Sequence, residues 1–252
     1  MKIQIMSDLH LEFKPKNFPL ISSEAEAIII AGDLATDEAD FANFLMNYVR
    51  DFTDAPVLFV LGNHDYYGKI LTEAPNHYKD MASSVENVHV LDNQCVNIKG
   101  IKFVGTTLWT DFDNRSCMAA AMTCMPDYDR IKKLGHHYEA ATINAQDIYE
   151  TYQGNLEFLD QELGSGLRTV VVTHHIPSYK FVDPYFLSSS LNGAFYCNLD
   201  NFIEDKAPYA WICGHTHRHF TGKIGETFVY CNPYGYPYEG FKYYKEEFLV
   251  EV

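Results

Sequence analysis

The chain has 252 residues, of which 47% are hydrophobic and 21% are charged, a composition that fits a globular domain and excludes a disordered chain. Its 19 basic and 34 acidic residues give a formal net charge of −15, which disfavours stable binding to the backbone of long nucleic acids. No apolar run approaches the ~20 residues of a membrane span, the N-terminus shows no secretion signal, and the six cysteines form no C-x-x-C pair, so we expect a cytoplasmic protein with reduced thiols.

Short apolar runs alternate with amphipathic stretches along the chain, which predicts an α/β domain. In chain order we predict strands at Lys2–Met6 and Ala27–Ala31, a helix at Glu38–Phe52, a strand at Val57–Leu61, a helix at Pro75–Ser84, strands at Val88–Leu91 and Lys102–Trp109, a helix at Ala140–Leu163 with Gly154 as a candidate break, a strand at Thr169–Val172, a helix at Asn198–Asp205, and strands at Tyr209–Cys213, Thr227–Cys231 and Phe248–Val252. We interpret residues 1–252 as a single domain with an insertion or cap around residues 110–150.

Five of the predicted strands end in clusters of His, Asp and Asn, and ligands of α/β sheets bind at such carboxyl ends. The candidate metal ligands in these clusters are Asp8, His10, Asp33, Asn63, His174, His215 and His217. A mixed set of imidazole, carboxylate and amide donors suits Mn, Fe or Zn. Seven donors exceed one tetrahedral site and suit two ions that share a carboxylate, for which Asp33 in its Gly-Asp turn is the natural bridge.

Two of the clusters are pairs of residues two apart, Asp8 with His10 and His215 with His217. On extended backbone such residues point the same way, so each pair is expected to hold one ion. A single histidine is more often a packing or surface residue than a ligand, and Gly-Asn alone is an ordinary turn. The occurrence of all five clusters, each after an apolar run, has no comparable structural explanation.

The order Asp8-x-His10, Gly32-Asp33, Gly62-Asn63-His64-Asp65, His174 and Gly214-His215-Thr216-His217 resembles that of the calcineurin-like metallophosphoesterase superfamily. The resemblance implies an α/β fold, a four-layer αββα sandwich of two mixed β-sheets flanked by helices. It also implies a hydrolase acting on phosphoric esters, in which two metal ions activate a shared hydroxide for in-line attack.

The family pattern implies a role for each matching residue. Asp8, His10 and His217 would hold one ion, Asn63, His174 and His215 would hold the other, and Asp33 would bridge them. His64 would contact the phosphate and help the leaving group depart.

The sequence departs from the phosphoprotein phosphatases of this superfamily, which carry Asp-Arg-Gly after Gly-Asp. Here Gly-Asp-Leu-Ala-Thr-Asp supplies no arginine, so the chain resembles the bacterial phosphodiesterase and phosphatase branch instead. The second acid falls at Asp37, which is a candidate to orient His64 or bind substrate. Three further candidates for substrate binding are His175, Arg130 and Arg218.

The predicted partner is a small phosphorylated substrate, whose identity and whose class, monoester or diester, remain open. Oligomeric state is open as well. Two alternatives stand beside the hydrolase: a non-enzymatic interaction scaffold on the same fold, and a nuclease, which the −15 charge disfavours.

Overall fold

The computed structural model describes residues 1–13, 19–135, 139–164, 166–240 and 242–252. In these residues the strands are β1 (Lys2–Met6), β2 (Ala27–Ala31), β3 (Val57–Val60), β4 (Val88–Val90), β5 (Gln94–Ile98), β6 (Ile101–Gly105), β7 (Lys132–Leu134), β8 (Ala140–Thr142), β9 (Thr169–Val172), β10 (Ala210–Cys213), β11 (Phe220–Ile224), β12 (Thr227–Cys231) and β13 (Leu249–Glu251). The helices are α1 (Glu38–Phe44), which continues through a π-helical turn (Leu45–Val49) into α2 (Arg50–Phe52), and α3 (Ala74–Ala82), α4 (Met118–Cys124), α5 (Asp127–Arg130), α6 (Ala145–Glu162) and α7 (Asp200–Lys206). Short 3-10 turns lie at Leu11–Phe13, Asn63–Tyr66, Tyr179–Phe181, Pro184–Phe186, Asn192–Ala194 and Pro237–Glu239.

The strands build two mixed sheets. The first has the order β13-β1-β2-β3-β4, in which β1 to β4 are parallel and β13 is antiparallel. The second has the order β11-β12-β10-β9-β6-β5, with four parallel inner strands and an antiparallel strand at each edge. The parallel arrangement brings the carboxyl ends of β1, β2 and β3 to one edge of the first sheet, and those of β9 and β10 to one edge of the second.

Successive residues of the strands point to opposite faces of each sheet, and the core therefore consists of two hydrophobic clusters. One cluster joins the inner faces of both sheets, with Ile29 and Leu58 from the first and Val170 and Ile212 from the second. The other cluster packs the outer strand faces against helices. Strands that are buried on both faces consist of continuous apolar runs, which is why they can be recognised in the sequence. The predicted four-layer αββα sandwich is confirmed.

The predicted helix Ala140–Leu163 is wrong at its first turn. Ala140–Thr142 is β8, which pairs with β7, and α6 begins after Asn144. The Asn144 side chain accepts hydrogen bonds from the Gln146 and Asp147 backbone N–H groups, a strong helix start. Gly154 does not break the helix. Lys102–Trp109 likewise ends as a strand at Gly105.

The segment around residues 110–150 contains α4, α5, the β7–β8 hairpin and the start of α6, and its residues 136–138 lie outside the described part. All six cysteines are free. Among the described residues, no helix combines the length and apolar character needed to cross a membrane.

Candidate metal centre and active site

The predicted ligands lie in loops at the carboxyl ends of five strands, three in the first sheet and two in the second. These loops follow β1 (Asp8 and His10), β2 (Asp33), β3 (Asn63), β9 (His174) and β10 (His215 and His217). Most of the seven side chains are buried, although they are polar or charged. Burial of so many polar groups is costly unless each finds a partner or a metal ion.

In the loops after β1, β2 and β10, the backbone at the candidate ligands is left-handed rather than extended. The φ angles are 54° at Asp8, 46° at His10, 70° at His215 and 49° at His217, and Asp33 has φ 53°. The prediction that extended backbone aligns each pair is therefore wrong, and tight left-handed turns bring the side chains together instead. Non-glycine residues adopt this conformation at a cost, and such strain concentrates at functional sites.

One group of potential ligand atoms is formed by Asp8, His10 and His217. These atoms lie within 4.8 Å of one another. The two Nε2 atoms of His10 and His217 are 3.0 Å apart, and His217 Nε2 is 3.5 Å from Asp8 Oδ1. The Asp8 carboxylate also accepts a hydrogen bond from the His215 backbone N–H at 2.9 Å, which ties the two pairs to each other.

A second group joins Asn63, His174 and His215, with Asp33 between the two groups. His174 Nε2 lies 3.1 Å from Asn63 Oδ1 and 3.1 Å from His215 Nδ1. Asp33 Oδ1 is 3.5 Å from His174 Nε2, whereas Asp33 Oδ2 is 3.7 Å from His10 Nε2. Each oxygen of Asp33 thus faces a different group, as a bridging carboxylate would.

In three of the histidine rings, Nδ1 faces away from the ligand groups and makes a hydrogen bond with an acceptor. His10 Nδ1 lies 3.1 Å from the Glu12 carboxylate, and His217 Nδ1 lies 2.9 Å from that of Glu239. Because a carboxylate only accepts, each Nδ1 carries a proton, and the Nε2 atoms of the two rings then face each other at 3.0 Å. His174 Nδ1 similarly donates to the Ala31 carbonyl at 2.9 Å. Outer acceptors of this kind are usual for metal-binding histidines, so the donor set fits a pair of cations.

The pKa shifts of the buried groups and a buried nitrogen without a hydrogen bond also indicate a cation site. Burial lowers the pKa of a histidine, yet the Asp33 carboxylate raises that of His174 to about 9. Burial is likewise outweighed at His217, where hydrogen bonds with Asp8 and Glu239 raise the pKa to about 10. Despite its burial, the surrounding histidines hold the pKa of Asp33 well below its usual range. His215 Nε2 is buried and finds no hydrogen-bond partner in the described residues. The site therefore attracts positive charge.

Asp65, the last residue of the Gly-Asn-His-Asp motif, supports the loops beneath the site. Its buried carboxylate accepts backbone N–H groups of Gly62 at 2.7 Å, Asp33 at 2.9 Å, Leu34 at 3.1 Å and Ala35 at 3.0 Å. No role for this residue was predicted from the sequence. Its contacts fix the turn that presents Asp33 relative to the turn that presents the next motif.

His64 lies at the edge of the cluster and is partly exposed to the cavity. Its backbone N–H donates to Asp33 Oδ1 at 2.8 Å. On its ring, Nδ1 is 3.0 Å from Glu12 Oε1 and Nε2 is 3.1 Å from the Tyr236 hydroxyl. Its ring could also join His10 and Asp33 as a ligand group by distance alone, but both ring nitrogens already have other partners.

The tyrosine-rich segment near the C-terminus folds beside the last motif. The Tyr236 ring packs on His10 and His217 with centroid distances of 4.4 and 4.5 Å. The Glu239 carboxylate accepts a hydrogen bond from His217 Nδ1, as described above, and another from the Tyr236 backbone N–H at 2.8 Å. Glu12, Tyr236 and Glu239 were missed because no motif spacing marks them.

Of the four weaker sequence candidates, His175 packs against proposed ligands, whereas Asp37, Arg130 and Arg218 have contacts elsewhere. Asp37 is exposed and caps α1, where it accepts the Ala39 backbone N–H at 2.7 Å, so it does not orient His64. His175 is buried against Trp109 and His215, and burial lowers its pKa to about 3. The guanidinium of Arg130 lies 5.2 Å from the Tyr67 ring, on the exposed surface. Arg218 pairs with Asp183 at 2.9 Å.

A cavity of about 350 Å³ opens beside the ligand groups. It is lined by Asp33, Asn63, His64, Tyr67, Cys124, Met125, Pro126, Asp127, Phe186, Leu191, Phe195, His215, Thr216, His217, Tyr236 and Glu239. Among these described residues there is no lysine or arginine. The carboxylate of Asp127 is buried, and burial raises the pKa of this group against the opposing effect of the Asn63 side chain.

Comparisons with known proteins agree with this geometry. Uncharacterized protein L509 of Acanthamoeba polyphaga mimivirus is 24% identical over 263 residues, covering 94% of this chain and 92% of L509. The crystal structure of phosphopantetheinyl hydrolase (PptH) from Mycobacterium tuberculosis is similar with a TM-score of 0.76 and 16% identity, covering 100% of this chain and 95% of PptH, which shows a shared fold. The profile of the calcineurin-like phosphoesterase family matches residues 1–219. Because that match spans most of the chain, the protein belongs to the calcineurin-like phosphoesterase family, whose chemistry is metal-dependent phosphoester hydrolysis.

Proposed function

We propose that this protein hydrolyses a small phosphodiester or phosphomonoester with two metal ions held on either side of Asp33. The observation that carries the proposal is the convergence of acceptor atoms on two points, with Asp33 Oδ2 facing one group and Asp33 Oδ1 facing the other. The outer nitrogens of His10, His174 and His217 already have acceptors, which leaves their inner nitrogens for cations.

The ligand assignment follows the two groups. Asp8, His10 and His217 would hold one ion, Asn63, His174 and His215 the other, and Asp33 would be shared. This donor set suits Mn, Fe or Zn. Two such ions, when bound, would supply Lewis acidity toward water and toward the phosphoryl oxygens.

His64 is the group that would assist the leaving oxygen. Its backbone N–H is tied to Asp33, so the ring is fixed relative to the metal ligands, and its Nε2 reaches the cavity beside Tyr236. The ring that carries protons on both nitrogens would donate Nδ1–H to Glu12, and as the bond between phosphorus and the leaving oxygen breaks, its Nε2 proton would pass to that oxygen. The leaving group then departs as a neutral alcohol, and an oxygen from water remains on phosphorus.

The substrate is proposed to be a small molecule because the cavity, at about 350 Å³, is at the small end of ligand sites. Met125, Pro126 and Asp127 form one wall, and Phe186 and Phe195 line another part. We propose that the segment around residues 110–150 acts as a cap within a single domain of residues 1–252. A cytoplasmic location stays a prediction.

The test is metal analysis joined to a substrate panel. The protein is loaded in turn with Mn²⁺, Fe²⁺ or Zn²⁺, and bound ions are counted by mass spectrometry. Turnover is measured with 4-nitrophenyl phosphate and bis(4-nitrophenyl) phosphate. We expect two ions per chain and metal-dependent turnover of at least one ester.

Two variants sharpen this test. His64→Ala should keep both ions and lose on the order of 10²-fold or more in kcat. Glu38→Gln is the matched control, because Glu38 is exposed and pairs with His77. If His64→Ala loses its ions, the role assigned to His64 is wrong. Two bound ions without turnover of either ester would favour the scaffold alternative, whereas salt-sensitive cleavage of an oligonucleotide would favour the nuclease.

A further inference from the structure

Glu12 connects the metal-ligand group with His64. It lies in the 3-10 turn Leu11–Phe13, two residues after His10, and its side chain is 17% exposed. One oxygen, Oε1, is 3.1 Å from His10 Nδ1 and 3.0 Å from His64 Nδ1. The other oxygen, Oε2, accepts the Thr36 backbone N–H at 3.4 Å.

The shared oxygen determines which nitrogen of each ring points away from Glu12. A carboxylate offers only acceptor positions, so both Nδ1 atoms must donate to it. The Nε2 of His10 is then left facing Asp33 Oδ2 at 3.7 Å, and the Nε2 of His64 lies 3.1 Å from the hydroxyl of Tyr236, which lines the cavity together with His64. The two rings meet edge to face at 72° with centroids 4.5 Å apart, an arrangement that allows both to reach one oxygen.

Other nearby carboxylates are engaged elsewhere. Asp37 is an exposed helix cap, and the Asp65 carboxylate is taken up by backbone N–H groups. Among the described residues, Glu12 is the acid that contacts the His64 ring.

We propose that Glu12 is a positioning residue that accepts the Nδ1–H of His64 and so turns His64 Nε2, which carries the second proton of the ring when it acts as an acid, toward the leaving oxygen. The inference rests on the proposed function, in which His64 assists that oxygen. It makes Glu12, rather than the acid after the Gly-Asp motif, the partner of His64.

The kinetic test is a double-mutant cycle of Glu12→Ala, His64→Ala and the combined variant, with metal content measured for each. Two substrates with the same methyl phosphate are compared, one a 4-nitrophenyl and the other a phenyl ester. We expect Glu12→Ala to lower kcat for the phenyl ester on the order of 10²-fold, with a smaller loss for the nitrophenyl ester, because a poorer leaving group depends more on proton donation. In the His64→Ala background the Glu12 substitution should change kcat less than threefold or so.

Glu12→Gln retains an acceptor oxygen and should recover part of the lost turnover. The control Glu38→Gln should behave as the wild type. A Glu12→Ala effect that is equally large with and without His64 would overturn the proposal, since Glu12 would then act through His10 or through the fold.

A second readout does not depend on turnover. In the zinc-loaded protein with ¹⁵N-labelled histidine, the His64 signals are assigned by their loss in His64→Ala. We expect a proton on Nδ1 in the wild type, and a shift toward the Nε2-protonated form in Glu12→Ala. An Nδ1-protonated His64 in both proteins contradicts the proposal. If the wild type carries the expected proton on His64 Nδ1 but hydrolyses no ester, the proposed function fails while the contact assignment stands.

Discussion

Substitution of Gly62 by alanine tests the shared position of Asp33. Gly62 has φ −97° and ψ 175°, which any residue adopts, so the cost of a side chain here is purely steric. A Cβ at this position would lie 2.1 Å from Asp33 Oδ1, 2.4 Å from the Asp33 backbone nitrogen and 2.7 Å from His174 Cε1. To reach an ordinary contact of 3.4 Å, the Asp33 carboxylate must retreat by about 1.3 Å and the Asp33 backbone nitrogen by about 1.0 Å, so the turn that presents Asp33 must shift as well.

The size of that displacement sets the expected effect. A shift of about 1 Å in a catalytic group can cost on the order of 10²-fold in rate. We therefore expect Gly62→Ala to bind fewer than two ions per chain and to lose at least about 10²-fold in kcat/KM. Overpacking should also reduce the free energy of unfolding by about 1–3 kcal/mol.

The assay combines metal counting, urea unfolding and phosphoester turnover. Gly154→Ala is the matched control, because Gly154 lies inside α6 with no atom within 4 Å of a Cβ placed there. That variant should keep both ions and full activity, and gain about 0.5–1 kcal/mol in stability. Should Gly62→Ala bind two ions with wild-type affinity and turn over normally, Asp33 would not be the shared ligand.

Three further predictions follow from the same contacts. Asp65→Asn should lower the free energy of unfolding by about 3 kcal/mol in urea titrations, because an amide cannot accept all the backbone N–H groups that the carboxylate accepts; an unchanged midpoint would contradict this. The pKa values of His174 (about 9) and His217 (about 10) lie above the ordinary value, so both rings hold an extra proton at pH 7.5 in the metal-free protein. Metal binding must displace these protons, and affinity should therefore rise with pH toward that range; calorimetry in two buffers of different ionisation enthalpy would show no proton release if the assignment is wrong. Asp127→Asn should raise the monoester-to-diester ratio of kcat/KM at pH 8 by about fivefold, because a carboxylate in the cavity wall repels a dianion more than a monoanion; an unchanged ratio would place Asp127 outside the substrate's reach.

The interior of both sheets could be predicted from the sequence, whereas the edges could not. β2 and β9 are buried along their whole length and read as unbroken apolar runs. β5 is largely exposed and carries polar residues, and β11 alternates between partly buried and exposed positions, so neither has that signal. Ala140–Thr142 has helix-forming alanines, but its pairing with β7 is a tertiary contact that local propensity does not encode.

The candidate ligands could be predicted because each follows a strand whose apolar run is visible. Their supporting residues could not be predicted in the same way. Glu12 meets His64 across 52 positions of sequence, and Glu239 meets His217 across 22. Asp37 looked suitable from its distance to the Gly-Asp motif, but the chain uses it to begin α1. A carboxylate near a motif in sequence is thus a weak guide to the carboxylate near a ring in space.

Asp8 and His10 lie together as predicted, but left-handed turns bring them together and not the extended backbone on which the prediction relied. Each non-glycine residue in this conformation costs on the order of 1–3 kcal/mol, and Asp8, His10, Asp33, His215 and His217 all adopt it. Nothing in these residue types demands it, since Asp and His also occupy ordinary backbone. The strain persists because hydrogen bonds such as His215 N–H to Asp8 and Asp33 N–H to Asp65 hold the turns in place. The turns therefore hold the donor atoms of the proposed ligands in place before a cation binds, so that little free energy is lost in arranging them on binding.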